Sequence, residues 1–196
     1  NVSLSAQCLH LLCEQGIPIV HLSTGHWFYG VTSGITLRNA YARAAQFAVS
    51  ADENRSLPLA RAFVFAKAQN QRTMLRRNAR TPLDTALATM KRHMDRLETC
   101  GSTEELMGVE GSIAAIYFGE WSKMLADDLP DAVFSPEGRN RRPPKDPINA
   151  MLSFGYALLA KEVTVALLGE GLDPFWGWSL LAYFMQPVVR IFFQAL

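Results

Sequence analysis

The chain has 196 residues, 49% hydrophobic and 19% charged, an ordinary globular composition with length for one domain or two small ones. Three cysteines, with Cys100 far from Cys8 and Cys13, exclude a disulfide framework in a chain this large and point to a reducing, cytoplasmic setting. The formal charge of +1 argues against a nucleic-acid partner only if charge is evenly spread, and it is not.

The chain opens on SAQCLHLLCEQG, a short helix stopped by Gly16, followed by a β-branched strand over residues 17–20. No signal-peptide pattern precedes it, and Asn1, which is no natural start, implies residues upstream. The glycine-rich, aromatic stretch HLSTGHWFYGVTSG reads as strand, turn and linker, with a boundary near Thr32. Cys8, Cys13, His21 and His26 resemble a zinc set on paper. Cysteines five apart on a helix point about 140° from each other, however, and small apolar packing accounts for them better.

Beyond Thr32 the pattern is helical. Helices are expected over Arg38–Val49, Leu59–Arg77 and Pro82–Leu97, the last opened by Thr81 before Pro82. Ser102 and Glu105 form a capping-box pair ahead of LMGVEGSIAAIYF, in which Gly108 and Gly111 leave room for close approach. Asp146-Pro147 opens a helix of about 22 residues, apolar on nearly every side, ended by Gly169 and Gly171 and expected at the centre of the domain. FSPEGRNRRPPKDP, stiffened by Pro136, Pro143, Pro144 and Pro147, is a basic loop between. Phe175 to Val189 is uncharged but too short and too broken for a membrane span, and reads as buried helix.

Charge follows this order in blocks. Arg61–Arg96 carries nine Lys/Arg against two Asp, a balance of +7; Leu97–Glu137 carries nine Asp/Glu against Lys123, a balance of −8; and Gly138–Lys145 returns to +4. Segregation of this kind suits a polyanion. Lys67, Asn70 and Gln71 share one helix face fringed by Arg72, Arg76, Arg77 and Arg80, either to contact phosphate or to bond neighbouring helices. Arg139, Arg141, Arg142 and Lys145 place four cations in seven loop residues, a phosphate-binding density. Asn149, Ser153 and Tyr156 form a polar stripe on the helix that follows, which either bonds other helices or faces a charged substrate. Glu110 lies among Leu106, Val109, Ile113 and Tyr117, and a carboxylate there is either in a salt bridge or on a cation. Glu120 leans toward the same side.

Three segments, EGSIAAIYF, GRNRRPPKDPINAMLSFGYALLAKEV and GLDPFWG, resemble in content, order and spacing the CRISPR-associated adaptation integrases, the family of the first CRISPR-associated protein. The likeness extends back through KAQNQRTMLRR to the opening residues and covers 1 to about 177. It implies a mainly α fold: a multi-helix catalytic domain over 33–196, preceded over 1–32 by a helix and short strands, the remnant of an N-terminal β domain, and by a linker. It also implies a homodimer that works with a small ferredoxin-like partner, and in some relatives with a Cas4-type nuclease, fused or bound, and no membrane. The implied reaction is attack by the 3′-OH of a prespacer, double-stranded DNA with 3′ overhangs, on CRISPR repeat DNA. The implied cofactor is Mg2+ or Mn2+. Glu110 matches the family's metal-binding glutamate, with Lys67, Arg72, Arg76, Arg139, Arg141, Arg142, Lys145 and Asn149 as DNA-binding residues. The likeness breaks off at Gly177: no His follows His93 and no acidic residue follows Asp173, where the family carries its remaining ligands. Either a segment is missing between Gly177 and Trp178, or the chain is a catalytically inactive DNA-binding scaffold of the same assembly.

Overall fold

A computed structural model describes residues 2–22, 28–35, 40–130, 133–135, 138–140, 143–174 and 176. Among the described residues the order is α1 (Ala6–Glu14), β1 (Ile19–Leu22), β2 (Phe28–Thr32), α2 (Ala40–Ser50), α3 (Glu53–Asn78), α4 (Asp84–Arg96), α5 (Thr103–Gly119) and α6 (Pro147–Gly169). The fold is mainly helical with one two-stranded sheet, the architecture the sequence predicts. The described residues of 1–52 and 156–176 form one compact unit and those of 53–155 a second. The helix expected over 175–189 and the junction at 177/178 lie outside the described residues, Trp176 excepted.

In the first unit, Ser5 caps α1 by accepting from the Cys8 amide at 3.2 Å, and Gly16, at φ 67°, turns the chain out of the helix. Pairing starts at Ile19, two residues later than expected. The Ile17 amide is spent on Leu12 O at 2.9 Å, and Pro18 has no N–H to give. β1 and β2 then pair antiparallel, Ile19 opposite Thr32, with an irregularity between His21 and Leu22. His21 Nε2 is 2.8 Å from Thr32 Oγ1, and Cys8 and Cys13 are half-buried on α1. From α2, Gln46 Nε2 donates to Asp173 O and Trp176 O, and its Oε1 accepts from the Asp173 amide. Trp176 packs on Phe47 and donates to Ser50 Oγ, which fixes the end of the GLDPFW segment on this helix.

The second unit is built on α3, α4 and α5, each packed on the other two. Leu57, Ala60, Val64, Ala68 and Leu75 form a buried stripe along α3 at helical spacing. Met90 and Met94 of α4 and Leu106, Val109 and Ile113 of α5 complete the core with Leu97 and Cys100. At the start of α5, Ser102 Oγ accepts from the Glu105 amide as expected, while Glu105 Oε2 accepts from the Gly101 amide, one residue before the N-cap N–H that a full capping box would use. α4 begins at Asp84, two residues after the predicted Pro82; its N-cap is Leu83, without a side-chain cap.

Among the described residues nothing approaches Gly108 or Gly111 closely, and a Cβ at either meets nothing within 4 Å. Gly111→Ala should therefore stabilise the chain by about 0.5–1 kcal/mol through helix propensity alone. Urea unfolding measures it; a destabilised variant would show that the open face is occupied.

α6 departs from the expected central helix. Asn149 is buried, but Met151, Phe154, Leu158 and Leu159 are 69%, 57%, 42% and 51% exposed, so the described residues leave much of its apolar surface uncovered. By length and composition alone α6 could span a bilayer. The buried polar network at its start and the adjacent Lys161 and Glu162 within it are costly in lipid.

Candidate functional site

Two polar clusters lie in the second unit, and both rest on α5. The first is at its middle. Val109 and Ile113 point Glu110's neighbours into the core, which leaves Glu110 half-buried at the edge of the α3–α5 seam. Across that seam α3 carries Lys67, one residue before buried Ala68, and Lys67 Nζ donates to Glu110 Oε1. The carboxylate in apolar surroundings thus has a cation, and the cation is a lysine.

The second cluster ties the basic loop to α6. Asp146 is the N-cap: its Oδ1 accepts from the Asn149 amide at 2.7 Å, while Oδ2 accepts from Asn149 Nδ2 at 2.6 Å, Asn140 Nδ2 at 3.2 Å and the Ser135 amide at 3.2 Å. Asn149 Oδ1 in turn accepts from Arg139 Nη1 at 2.9 Å and the Asn140 amide at 3.2 Å, and its Nδ2 also donates to Gly138 O. Arg139 Nη2 reaches Ser153 Oγ at 3.1 Å. Gly138, at φ 80°, makes the turn that allows this, and a Cβ there would sit 3.8 Å from Phe118 O. The loop therefore touches α5 eight residues beyond Glu110, about 12 Å along the helix axis.

Burial alone would raise the Asp146 carboxyl, but the donors from Asn149, Asn140 and Ser135 outweigh it and hold the group below its ordinary value. At neutral pH it is an anion inside the network. Phe134, one residue before Ser135, packs on Trp121, whose Nε1 donates to Tyr117 Oη.

The predicted site residues sort accordingly. Glu110 and Lys67 come together, and Arg139 and Asn149 come together. Asn149 is fully buried, and its side chain bonds Arg139 and Asp146 and so holds the loop. Arg139 is half-buried, with its guanidinium turned on Asn149 and Ser153. Arg72 Nε donates to Leu87 O of α4 at 3.2 Å. Arg76 is exposed in the last turn of α3, and Lys145 is exposed at the foot of α6 with its amide on Asn140 Oδ1. Arg141 and Arg142 lie outside the described residues. Sequence reasoning passed over Asn140 and took Asp146 only as a helix start. An Asp directly before a helical Pro, three residues ahead of a buried Asn, was the available signal.

A divalent ion needs several oxygen or nitrogen donors. Among the described residues no group of three or more His, Cys, Asp and Glu converges, and Glu110 stands with a lysine, so these residues alone do not fit a metal.

A family model described as CRISPR associated protein Cas1 matches residues 1–179. A Cas4/endonuclease Cas1 fusion from Geobacter sulfurreducens is 40% identical over 97% of this chain and 35% of its own length. The fold is similar to a Cas1 protein from Thermotoga maritima, with a TM-score of 0.69 and 26% identity over 91% of this chain and 55% of that one. It is also similar to a chain of a partial Cas6-RT-Cas1–Cas2 complex, with a TM-score of 0.68 and 25% identity over 95% of this chain and 58% of that one. The chain thus spans between about a third and somewhat over half of these proteins.

Proposed function

The chain belongs to the Cas1 family of CRISPR-associated proteins, and from that premise we propose that it is the helical region of a cytoplasmic integrase and endonuclease that inserts prespacer DNA into a CRISPR array. The observation that carries the reading is the family match over residues 1–179, which includes Glu110 and the Asp146–Asn149 loop anchor.

The reaction is a transesterification. The 3′-hydroxyl oxygen of the prespacer bonds to phosphorus at the repeat boundary, the bond from phosphorus to the old 3′ oxygen breaks, and that oxygen leaves with a proton. One phosphodiester replaces another, so no external energy source is needed. The contribution of the chain's own residues is to hold two DNA strands in line. Arg76, on the exposed end of α3, and Lys145, beside a loop locked by Asp146 and Asn149, supply cations on fixed supports.

On this reading the complete site would hold Mg2+ or Mn2+, with Glu110 as one of its ligands. The partners are prespacer and repeat DNA, a second copy of the protein, and a small ferredoxin-like protein. The Cas4/Cas1 fusion relative and the likeness to a chain of a Cas1–Cas2 complex support association with other CRISPR proteins. The pairing of Glu110 with a lysine favours a second reading, a DNA-holding scaffold without catalysis.

Strand transfer separates the two. Incubated with its small partner, Mg2+ or Mn2+, a repeat-bearing plasmid and a labelled prespacer, the protein should join label to the repeat boundary. A prespacer ending in a 3′-deoxynucleotide should give no product, and undiminished product from it would refute 3′-OH attack. Binding without any joining selects the scaffold. For DNA holding itself, Arg76→Ala should weaken binding of duplexes of any sequence alike and reduce the slope of log K against log salt by about 1. An unchanged slope in fluorescence anisotropy titrations removes Arg76 from the interface.

A further inference from the structure

The cap of α6 is complete without Asn140. Asp146 accepts from the Asn149 amide at 2.7 Å, from Asn149 Nδ2 at 2.6 Å and from the Ser135 amide at 3.2 Å, which already fixes the start of the helix. What the Asn140 side chain adds is a bridge. Its Nδ2 donates to Asp146 Oδ2 at 3.2 Å, and its Oδ1 accepts from the Lys145 amide at 2.7 Å, five positions on. Its own amide donates to Oδ1 of buried Asn149 at 3.2 Å, so the bridge starts from the interior of the network. Pro143 and Pro144 have no N–H, which makes the Lys145 amide the first backbone donor after them by which the chain is tied. Lys145 itself is exposed.

We propose that Asn140 is a positioning residue for Lys145: bonded at once to the Lys145 backbone and the Asp146 carboxylate, it fixes the base of the lysine before a DNA backbone phosphate reaches the ammonium. This rests on the reading of Lys145 as a DNA contact, and Asn140 acts through it. The argument is one of entropy. A lysine side chain is long and flexible, and holding it on a phosphate already costs rotamer freedom. With a loose backbone beneath it, binding would have to order that backbone as well. A residue tied down beforehand has met this cost in folding. The phosphate contact is made in either case, so the salt dependence belongs to Lys145, whereas Asn140 sets only the affinity.

Anisotropy titrations of a labelled DNA duplex with 3′ overhangs, over a range of salt, test this in the full 196-residue chain. Lys145→Ala should weaken binding and reduce the slope of log K against log salt by about 1. Asn140→Ala should weaken binding about 5- to 10-fold, the cost of ordering about one residue, with the slope unchanged. The two losses should not add. In a Lys145→Ala background Asn140→Ala should change binding by less than about twofold, and in a Lys145→Arg background its full effect should return. Thermal melts of each variant establish that the fold is retained, and Asn140→Ser, too short to span both partners, replaces Asn140→Ala should that variant not fold. Undiminished binding by the Asn140 variant overturns the proposal. An equal loss with and without the lysine charge overturns it too and marks Asn140 as part of the fold alone. Failure of the underlying reading has a separate signature: Lys145→Ala then leaves affinity and slope where they were, and the proposal falls with it.

Discussion

Glu110→Ala is expected to lower strand transfer by about 100-fold or more while leaving DNA binding within about threefold of the unaltered protein. The residue sits between buried Leu106, Val109 and Ile113 on α5, where a carboxylate is retained against a desolvation cost. Its removal strands only Lys67, whose long stem can carry the ammonium out to water, so unfolding is not the expected outcome. Circular dichroism and a melt separate loss of chemistry from loss of structure. Strand transfer within a factor of two or three of the unaltered rate would take Glu110 out of the reaction and leave it a structural ion-pair partner.

The second large effect is on stability. Asp146→Ala removes the acceptor of four hydrogen bonds and leaves the Asn149 amide and Nδ2, Asn140 Nδ2 and the Ser135 amide without it, the two Asn149 bonds buried and the other two part-buried. At about 1–3 kcal/mol for each buried donor left unsatisfied, and with partial relaxation, the loss should reach about 3 kcal/mol in urea unfolding. Asp146→Asn, which keeps the shape and one acceptor, should lose less. A loss below about 1 kcal/mol would mean that the loop anchor is replaceable by water.

The same carboxylate sets an acid limit. Its value in the folded chain is held below the ordinary 3.8, so folding is favoured by its ionisation. That contribution is complete above the unfolded value and is lost as pH falls from there through the folded value. Unfolding midpoints measured downward from pH 5 should fall more steeply for the unaltered chain than for Asp146→Asn, and parallel curves would contradict the assignment.

These residues also show how far the sequence could be read. Gly16, Ser102 with Glu105, and Asp146-Pro147 announce helix ends because capping chemistry is local, and all three stand where the pattern places them. Thr81-Pro82 carried the same signal and misled by two residues, since α4 starts at Asp84 under a Leu83 N-cap that makes no side-chain bond. Gly108 and Gly111 read as sites of close approach on a face that is open among the described residues. For α6, uniform apolarity predicted burial, whereas burial depends on what packs against a helix.

The residue pattern by itself determined the mainly helical class, the family likeness, and the identity of Glu110, the basic α3 and the proline-stiffened loop as the places to look. It did so because helix periodicity, caps and motif spacing are properties of neighbouring residues. Only the tertiary structure decided what those residues touch. Lys67 and Glu110 are 43 positions apart and meet because α3 and α5 pack together. Asn149 meets Asp146 and Arg139 meets Asn149 and Ser153 only because folding closes the loop onto the start of α6. Partner choice between charged or polar groups far apart in sequence is set by packing, and no local rule encodes it.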